Sequence, residues 1–177
     1  MHTLKFYAMI VILALIALGT LGFTHPEPDA NSPSHAQVVF LVRHADTNPD
    51  AGRDPDLTVD GYLRANRLAT MLADQTIDSI FVTDTKRSNQ TAQPAADAMD
   101  IKPTLYPPMD ADALANTIHG NKAITTTLIV AHSNTVPMIL KALGGDEIDD
   151  LPHDEFGRLF VVILKDGDFV NTVALRY

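Results

Sequence analysis

Four residues in this chain have the types and spacing to share one piece of chemistry. Arg43 and His44 lie in Leu41-Val-Arg43-His44-Ala45-Asp46-Thr47, Arg87 in Thr83-Asp-Thr-Lys-Arg87-Ser-Asn-Gln90-Thr-Ala, and His132 in Val130-Ala-His132-Ser133-Asn134-Thr135. Each segment follows an apolar run of strand type, and sites in open α/β sheets form beyond the carboxyl ends of the strands. The four side chains are therefore expected at one sheet edge. Two guanidiniums, each a rigid fork of N–H donors, suit a phosphate dianion. Helix N-termini near Arg87 and Asn134 would add backbone N–H groups to the same anion site. Cations beside His44 disfavour its imidazolium form, which keeps one ring nitrogen bare and able to attack phosphorus.

Regular elements must position these segments. Gln37–Val42 is a continuous run of β-formers, as in a strand buried on both faces. Residues 58–73 follow helical spacing, with Tyr62, Ala65, Ala69 and Leu72 on one stripe, Thr58 as cap and Asp60 in the first turn. Ile77–Val82 is a second strand, and Thr85–Met99 a helix that Pro94 should kink or restart. Lys102–Tyr106 is a short third strand ahead of Pro107-Pro108, followed by a helix over Asp110–His119 that ends at Gly120. Thr126–Ala131 is a fourth strand, and Thr135–Leu143 a helix stopped by Gly144-Gly145. The chain closes with a hairpin, Arg158–Leu164 and Phe169–Leu175 around Asp166-Gly167. This alternation predicts a three-layer α/β/α sandwich with a mostly parallel sheet and an antiparallel C-terminal hairpin.

Composition excludes several other functions. The 177 residues carry 13 Lys and Arg against 22 Asp and Glu, a formal charge of −9. Sequence-independent nucleic-acid binding needs the opposite balance, so no nucleic-acid partner is expected, and any anion site must be built locally. With no Cys, disulfides, zinc–thiolate sites, iron–sulfur clusters, thiol catalysis and a lipoprotein anchor are excluded. Residues 1–24 stand apart: after Lys5, Phe6–Phe23 is 18 residues without a charge. That length suits either a cleaved signal peptide, with Ala17-Leu18-Gly19 as its small-x-small triplet, or an uncleaved N-terminal membrane anchor. Both readings export the rest of the chain, to the periplasm or the outside, and the second adds membrane association through residues 6–23. His25 to His35 is rich in Pro and polar residues and reads as a linker over 25–36, leaving 37–177 as the domain.

Four ordered motifs now carry a resemblance. Leu41-Val-Arg43-His44-Ala45, Leu57-Thr58-x-x-Gly61-x-x-Arg64-Ala65, Arg87-x-x-Gln90-Thr91-Ala92-x-Pro94 and Ile129-Val-Ala-His132-Ser133-Asn134 resemble the histidine phosphatase superfamily. That is the phosphoglycerate-mutase-like fold, in its branch of small phosphatases, and the likeness runs over about residues 37–175. The resemblance implies a phosphohistidine mechanism: His44 is the nucleophile, Arg43, Arg87 and His132 hold the phosphoryl group, and water hydrolyses the phosphoenzyme. It implies no metal and no organic cofactor. Ala45 stands where most relatives have Gly, and His132-Ser133-Asn134 replaces the usual His-Gly. Ser133 or Asn134 caps the following helix or donates to phosphate. The leaving oxygen needs a proton, for which Asp110 is the first candidate and Asp112 the second; an N-cap is the competing role for Asp110.

The implied activity is hydrolysis of a small phosphomonoester or of a phosphorylated protein side chain. The 44 residues between Arg87 and His132 are filled by a strand and a helix, so no lid is expected. Two other classes remain. One is a non-catalytic phosphate-binding envelope module with the same pocket. The other is a metal-dependent hydrolase on His44, His132 and Asp46, against which two nearby Arg argue. His119 and His153 are expected to be structural, Asp146–Asp150 a solvated acidic loop, and Arg53 a residue beside the nucleophile that can reach substrate.

Overall fold

The computed structural model describes residues 34–177, and the leader and most of the linker read from the sequence lie outside them. Among the described residues no helix is long and apolar enough to cross a membrane. Strand β1 (Ala36–Arg43) is apolar on both faces because each face packs in a hydrophobic core. It pairs parallel with β4 (Thr126–Ala131) and antiparallel with β5 (Arg158–Lys165). With β2 (Ser79–Val82), β3 (Thr104–Leu105) and β6 (Asp168–Arg176), the six strands run in the order β3-β2-β4-β1-β5-β6.

The period of two sorts the strand residues into two cores. Val39, Leu41, Ile129 and Phe160 face α3 (Ala111–Gly120) and α4 (Thr135–Ala142). Phe40, Val42, Leu128 and Leu159 face α1 (Val59–Leu72) and α2 (Lys86–Met99). Apolar burial on both faces of one sheet is what holds the three layers together.

Where the structure departs from the sequence reading, each difference has a local cause. Arg43 is the last residue of β1 rather than the first after it, and lies opposite Ala131. The fold begins before residue 37: the His35 amide donates to Asp166 Oδ1 at 2.8 Å, and its carbonyl accepts from the Asp166 amide at 2.7 Å. Pro94 neither restarts nor interrupts α2. It deprives one carbonyl of its donor, while Ala92, Ala95 and Ala96 stay buried and keep the helix on the sheet. The buried stripe of α1 is Gly61, Ala65, Leu68 and Leu72, whereas Tyr62 is 44% exposed.

That rotation follows from Gly61. The Thr58 hydroxyl caps the helix by accepting from the Gly61 amide at 3.1 Å, and the Thr58 amide donates to the Asp46 carbonyl at 2.9 Å. A Cβ on Gly61 would collide with that same carbonyl oxygen. The helix start thus rests directly on the loop after His44. Gly61→Ala is expected to cost about 1–3 kcal/mol through this collision. Gly120→Ala, where a Cβ meets open space, should stay within about 0.5 kcal/mol. Urea midpoints of the two variants check this, and equal midpoints would contradict it.

Candidate active site

The strand order fixes the site before any side chain is considered. β1 and β4 are parallel neighbours, and the His44 amide donates to the Ala131 carbonyl at 2.9 Å, one step beyond the last strand pair. His44 and His132 therefore leave adjacent strand ends side by side, with ring centroids 5.3 Å apart at 63°. β2 flanks β4 on its other side, and Thr83, just past its end, meets His132 Nε2 through Oγ1 at 2.9 Å. Phe156 closes the row beyond His44, at 6.0 Å between centroids.

Hydrogen bonds assign the proton on each ring. His44 Nδ1 lies 2.9 Å from the Ala45 carbonyl, which can only accept, so Nδ1 carries the hydrogen and Nε2 is bare. Thr83 donates its one proton to Ser88 Oγ at 2.9 Å and so accepts from His132 Nε2. His132 Nδ1 is then the open nitrogen. Burial pushes the His44 pKa down to about 3, with His132, Arg43 and Arg87 adding to the effect against the opposing bond to Ala45. Burial, then Arg87 and Arg43, push His132 down to about 4. Both rings are neutral near pH 7. An anion arriving at His132 Nδ1 favours a proton there, so anion binding and proton uptake are coupled.

The two arginines are held differently. Arg43 is only 6% exposed; its Nη1 donates to the carbonyls of Pro152 at 2.8 Å and of His153 and Glu155 at 3.1 Å. Its guanidinium lies 4.0 Å over the Phe156 ring, while Nε is buried without a partner. Desolvation lowers its proton affinity. Arg87 rises from the first turn of α2, and its Nη1 reaches Asp54 Oδ1 and the Arg53 carbonyl, each at 3.3 Å. The same helix secures the nucleophile loop. Thr91 Oγ1 accepts from the Ala45 amide at 2.9 Å, and Gln90 Oε1 accepts from the Leu57 amide at 2.9 Å. Ala45 has no exposed surface and packs on Leu57 and Ala65, which explains a small side chain there.

The structure brings Arg43, His44 and His132 together and orients Arg87 towards the same field; Asp110 lies at the start of α3. That residue caps α3, accepting from the Ala113 amide at 3.2 Å. With Asp112 it lines a depression shared with Met138 and Lys141, which has no residue in common with the depression beside Arg43. The buried Tyr106 donates its amide to the Val82 carbonyl at 3.0 Å, which extends the β2–β3 pairing by one residue. Asp110 thus holds the competing role of N-cap, and Asp112 follows it in the first turn of α3. Asn134 occupies the N-cap of α4, yet its side chain makes no capping bond. The Thr135 hydroxyl instead accepts from the His132 amide at 2.9 Å, leaving the Ser133 and Asn134 side chains without hydrogen bonds.

Asp46 is bound to Arg64, Oδ2 to Nε at 2.6 Å and Oδ1 to Nη2 at 3.3 Å. Burial works to raise the Asp46 carboxyl, but Arg64 prevails and holds it below the usual range. This carboxylate braces the loop and is not turned to the histidines as a third metal ligand. Among the described residues no three His, Cys, Asp or Glu are grouped to hold a metal ion. His153 does rim the site, lining the depression beside Arg43 with Thr47, Pro49, Asp154 and Phe156. Arg53 contributes a backbone carbonyl to Arg87 rather than its own guanidinium. Sequence reasoning missed Thr83, Thr91, Phe156 and the pairing of Arg64 with Asp46. Of these, Arg64, Thr91 and Thr83 had a signal, since each lies inside a segment that carries one of the four site residues or the resemblance, whereas Phe156 had none.

The depressed histidines have a consequence for stability. An unfolded chain protonates its histidines near 6.5, whereas the native fold resists until about 3 at His44 and about 4 at His132. Between these limits the unfolded state binds more protons, so stability must fall as pH drops from about 6.5 towards 3. Urea midpoints should decrease from pH 7.5 to 4.5, with a smaller decrease in His44→Gln. An equal slope in the variant would contradict the assignment.

Comparison with known proteins agrees with this geometry. Residues 39–110 match the model of the histidine phosphatase superfamily (branch 1). No curated protein sequence matches the chain significantly. Among solved structures, the protein histidine phosphatase SixA complexed with tungstate superposes with a TM-score of 0.68 at 21% identity, covering 79% of this chain and 97% of that one. The alpha-ribazole phosphatase from Shigella flexneri gives 0.66 at 13% identity, covering 80% and 96%. Phosphoglycerate mutase from Bacillus anthracis str. Sterne gives 0.59 at 13%, covering 79% and 93%. Likeness at such identity establishes the fold, and the family model adds a sequence signature over residues 39–110, from within β1 to the N-cap of α3. Residues 39–110 thus carry the sequence signature of the histidine phosphatase superfamily, and the described domain has the phosphoglycerate-mutase-like architecture that its four motifs imply.

Proposed function

We propose that this chain is a phosphatase that hydrolyses phosphomonoesters through a phosphohistidine on His44, with no metal in the step. The observation that carries the proposal is the His44 tautomer: Nδ1–H is spent on the Ala45 carbonyl, which leaves Nε2 bare next to His132, Arg43 and Arg87. A neutral imidazole aimed into an electropositive pocket is the arrangement a nucleophile at phosphorus needs. Nε2 attacks phosphorus as the bond to the leaving group breaks. Arg43, Arg87 and a protonated His132 Nδ1 hold the equatorial oxygens, with Ser133 and Asn134 at hand for the same group. Water then attacks the phosphohistidine, returning His44 and releasing inorganic phosphate.

On this reading Asp110 is engaged as a helix cap and the leaving group departs without a side-chain acid. Substrates whose leaving group departs without help are therefore favoured, such as aryl phosphates or a phosphorylated imidazole. The likeness to a protein histidine phosphatase supports a phosphorylated side chain as substrate, and the open surroundings of the pocket leave room for one. The uncharged run Phe6–Phe23 supports export of the domain, either released or held at the inner membrane.

Hydrolysis of p-nitrophenyl phosphate by the full-length chain tests the proposal. Turnover should survive chelator and fall at least about a thousandfold in His44→Ala. Phosphate trapped on the protein should be acid-labile, as on histidine, and absent from the variant. Binding of phosphate without turnover would instead favour an anion-binding envelope module. Among substituted phenyl and alkyl phosphates, kcat/KM should fall steeply as the leaving-group pKa rises. A flat dependence would show that a general acid is at work.

A further inference from the structure

Arg43 serves two surfaces. Its charge acts on His44 and His132, and its side chain is also a wall of the depression lined by Thr47, Pro49, His153, Asp154 and Phe156. The segment that builds this depression is fixed to the site. Arg43 Nη1 donates to the carbonyls of Pro152, His153 and Glu155, so the backbone around Asp154 is held to the guanidinium. Phe156 lies under that guanidinium at 4.0 Å and beside the His44 ring at 6.0 Å. Two carboxylates follow one another here, and only one is neutralised. Glu155 is paired with Arg158 at 3.0 Å and with Arg176 at 2.8 Å. Asp154 is exposed and enters no ion pair among the described residues. Its field nevertheless reaches Arg43, whose proton it helps to hold.

We propose that this depression receives the group from which the phosphoryl is cleaved, and that Asp154 makes it prefer a leaving group bearing positive charge over one bearing a carboxylate. The proposal rests on the phosphatase reading and names a substrate class for the same site. Every substrate brings the same phosphoryl group to Arg43 and the histidines, so that part of the binding cancels when leaving groups are compared. What remains is the interaction of Asp154 with the charge of the leaving group itself, attractive for a cation and repulsive for an anion. The space, about 360 Å³, stands at the low end of cavities that take small ligands. Phe156 and Pro49 give it apolar walls suited to a single ring. A second depression touches the site only through Thr83, whose hydroxyl is already engaged with Ser88 and His132.

Three aryl phosphates with closely matched phenols test this. Phosphotyramine carries an ammonium side chain, para-ethylphenyl phosphate is neutral there, and the phosphate of para-hydroxyphenylpropionate carries a carboxylate. With the full-length chain, kcat/KM should fall in that order. Asp154→Asn should narrow the ammonium-to-carboxylate ratio at least about threefold, and Asp154→Lys should narrow it further. The neutral ester marks whatever change is common to all three. Asp84→Asn, in the depression beside Thr83, should leave the ratio as it was. A ratio unmoved by both Asp154 variants would overturn the proposal, as would one that moves in Asp84→Asn instead. If no ester is hydrolysed, dissociation constants of the same three from calorimetry take the place of kcat/KM. The same order, with the same response to Asp154→Asn, would then sustain this inference while removing the phosphatase reading. Absence of binding by all three would remove both.

Discussion

The bond from the His44 amide to the Ala131 carbonyl, 2.9 Å long, is the contact on which the site depends. It continues the parallel β1–β4 ladder by one residue, so two histidines far apart in sequence leave the sheet as neighbours. The ladder itself is fixed by burial on both faces, since a slip of one residue would exchange the side chains between the two cores. Everything else at the site is arranged around those strand ends. β2 delivers Thr83 to the far side of His132, and α2 ties the loop after His44 through Thr91 and Gln90.

Electrostatics in the pocket runs against the acidic balance of the chain. Arg43 is buried, so its charge acts through protein rather than water and weighs more on its neighbours. Together with desolvation, this charge keeps His44 and His132 neutral. Neutrality is useful only with the correct tautomer, and the Ala45 carbonyl supplies that by accepting from Nδ1. Arg43 is prevented from collapsing onto a carboxylate by three backbone carbonyls and the face of Phe156. Backbone acceptors anchor the guanidinium without neutralising it, and an anion can still profit from its charge.

The carboxylates show the complementary side of this design. Asp46, closest in sequence to the nucleophile, is immobilised by Arg64 and serves as a brace between the loop and α1. Gly61 lets α1 approach closely enough for that brace to form. Asp54, eight residues later and exposed, accepts from the Lys86 amide at 3.0 Å and pairs with Arg87 Nη1 at 3.3 Å, which ties the far part of the loop to the start of α2.

The amino-acid sequence by itself determined the layer architecture, the strand identities and the cationic character of the site. Short continuous runs of β-formers read as strands buried on both faces, and Arg43, His44, Arg87 and His132 occur at their ends or just inside the following helix. Thr126–Ala131 was legible to the residue because a clean run of β-formers is bounded by polar residues on both sides. Tertiary structure decided what depended on distance between elements. The Asp110 pattern suits an acid and a helix cap equally, and the tertiary structure shows the cap. The Thr83 hydroxyl is an ordinary turn residue until β2 is placed beside β4. Phe156 gains meaning only when the segment before β5 folds over Arg43. Sequence periodicity reports which face of an element is buried; it carries no information about which loop a long-range hydrogen bond will choose.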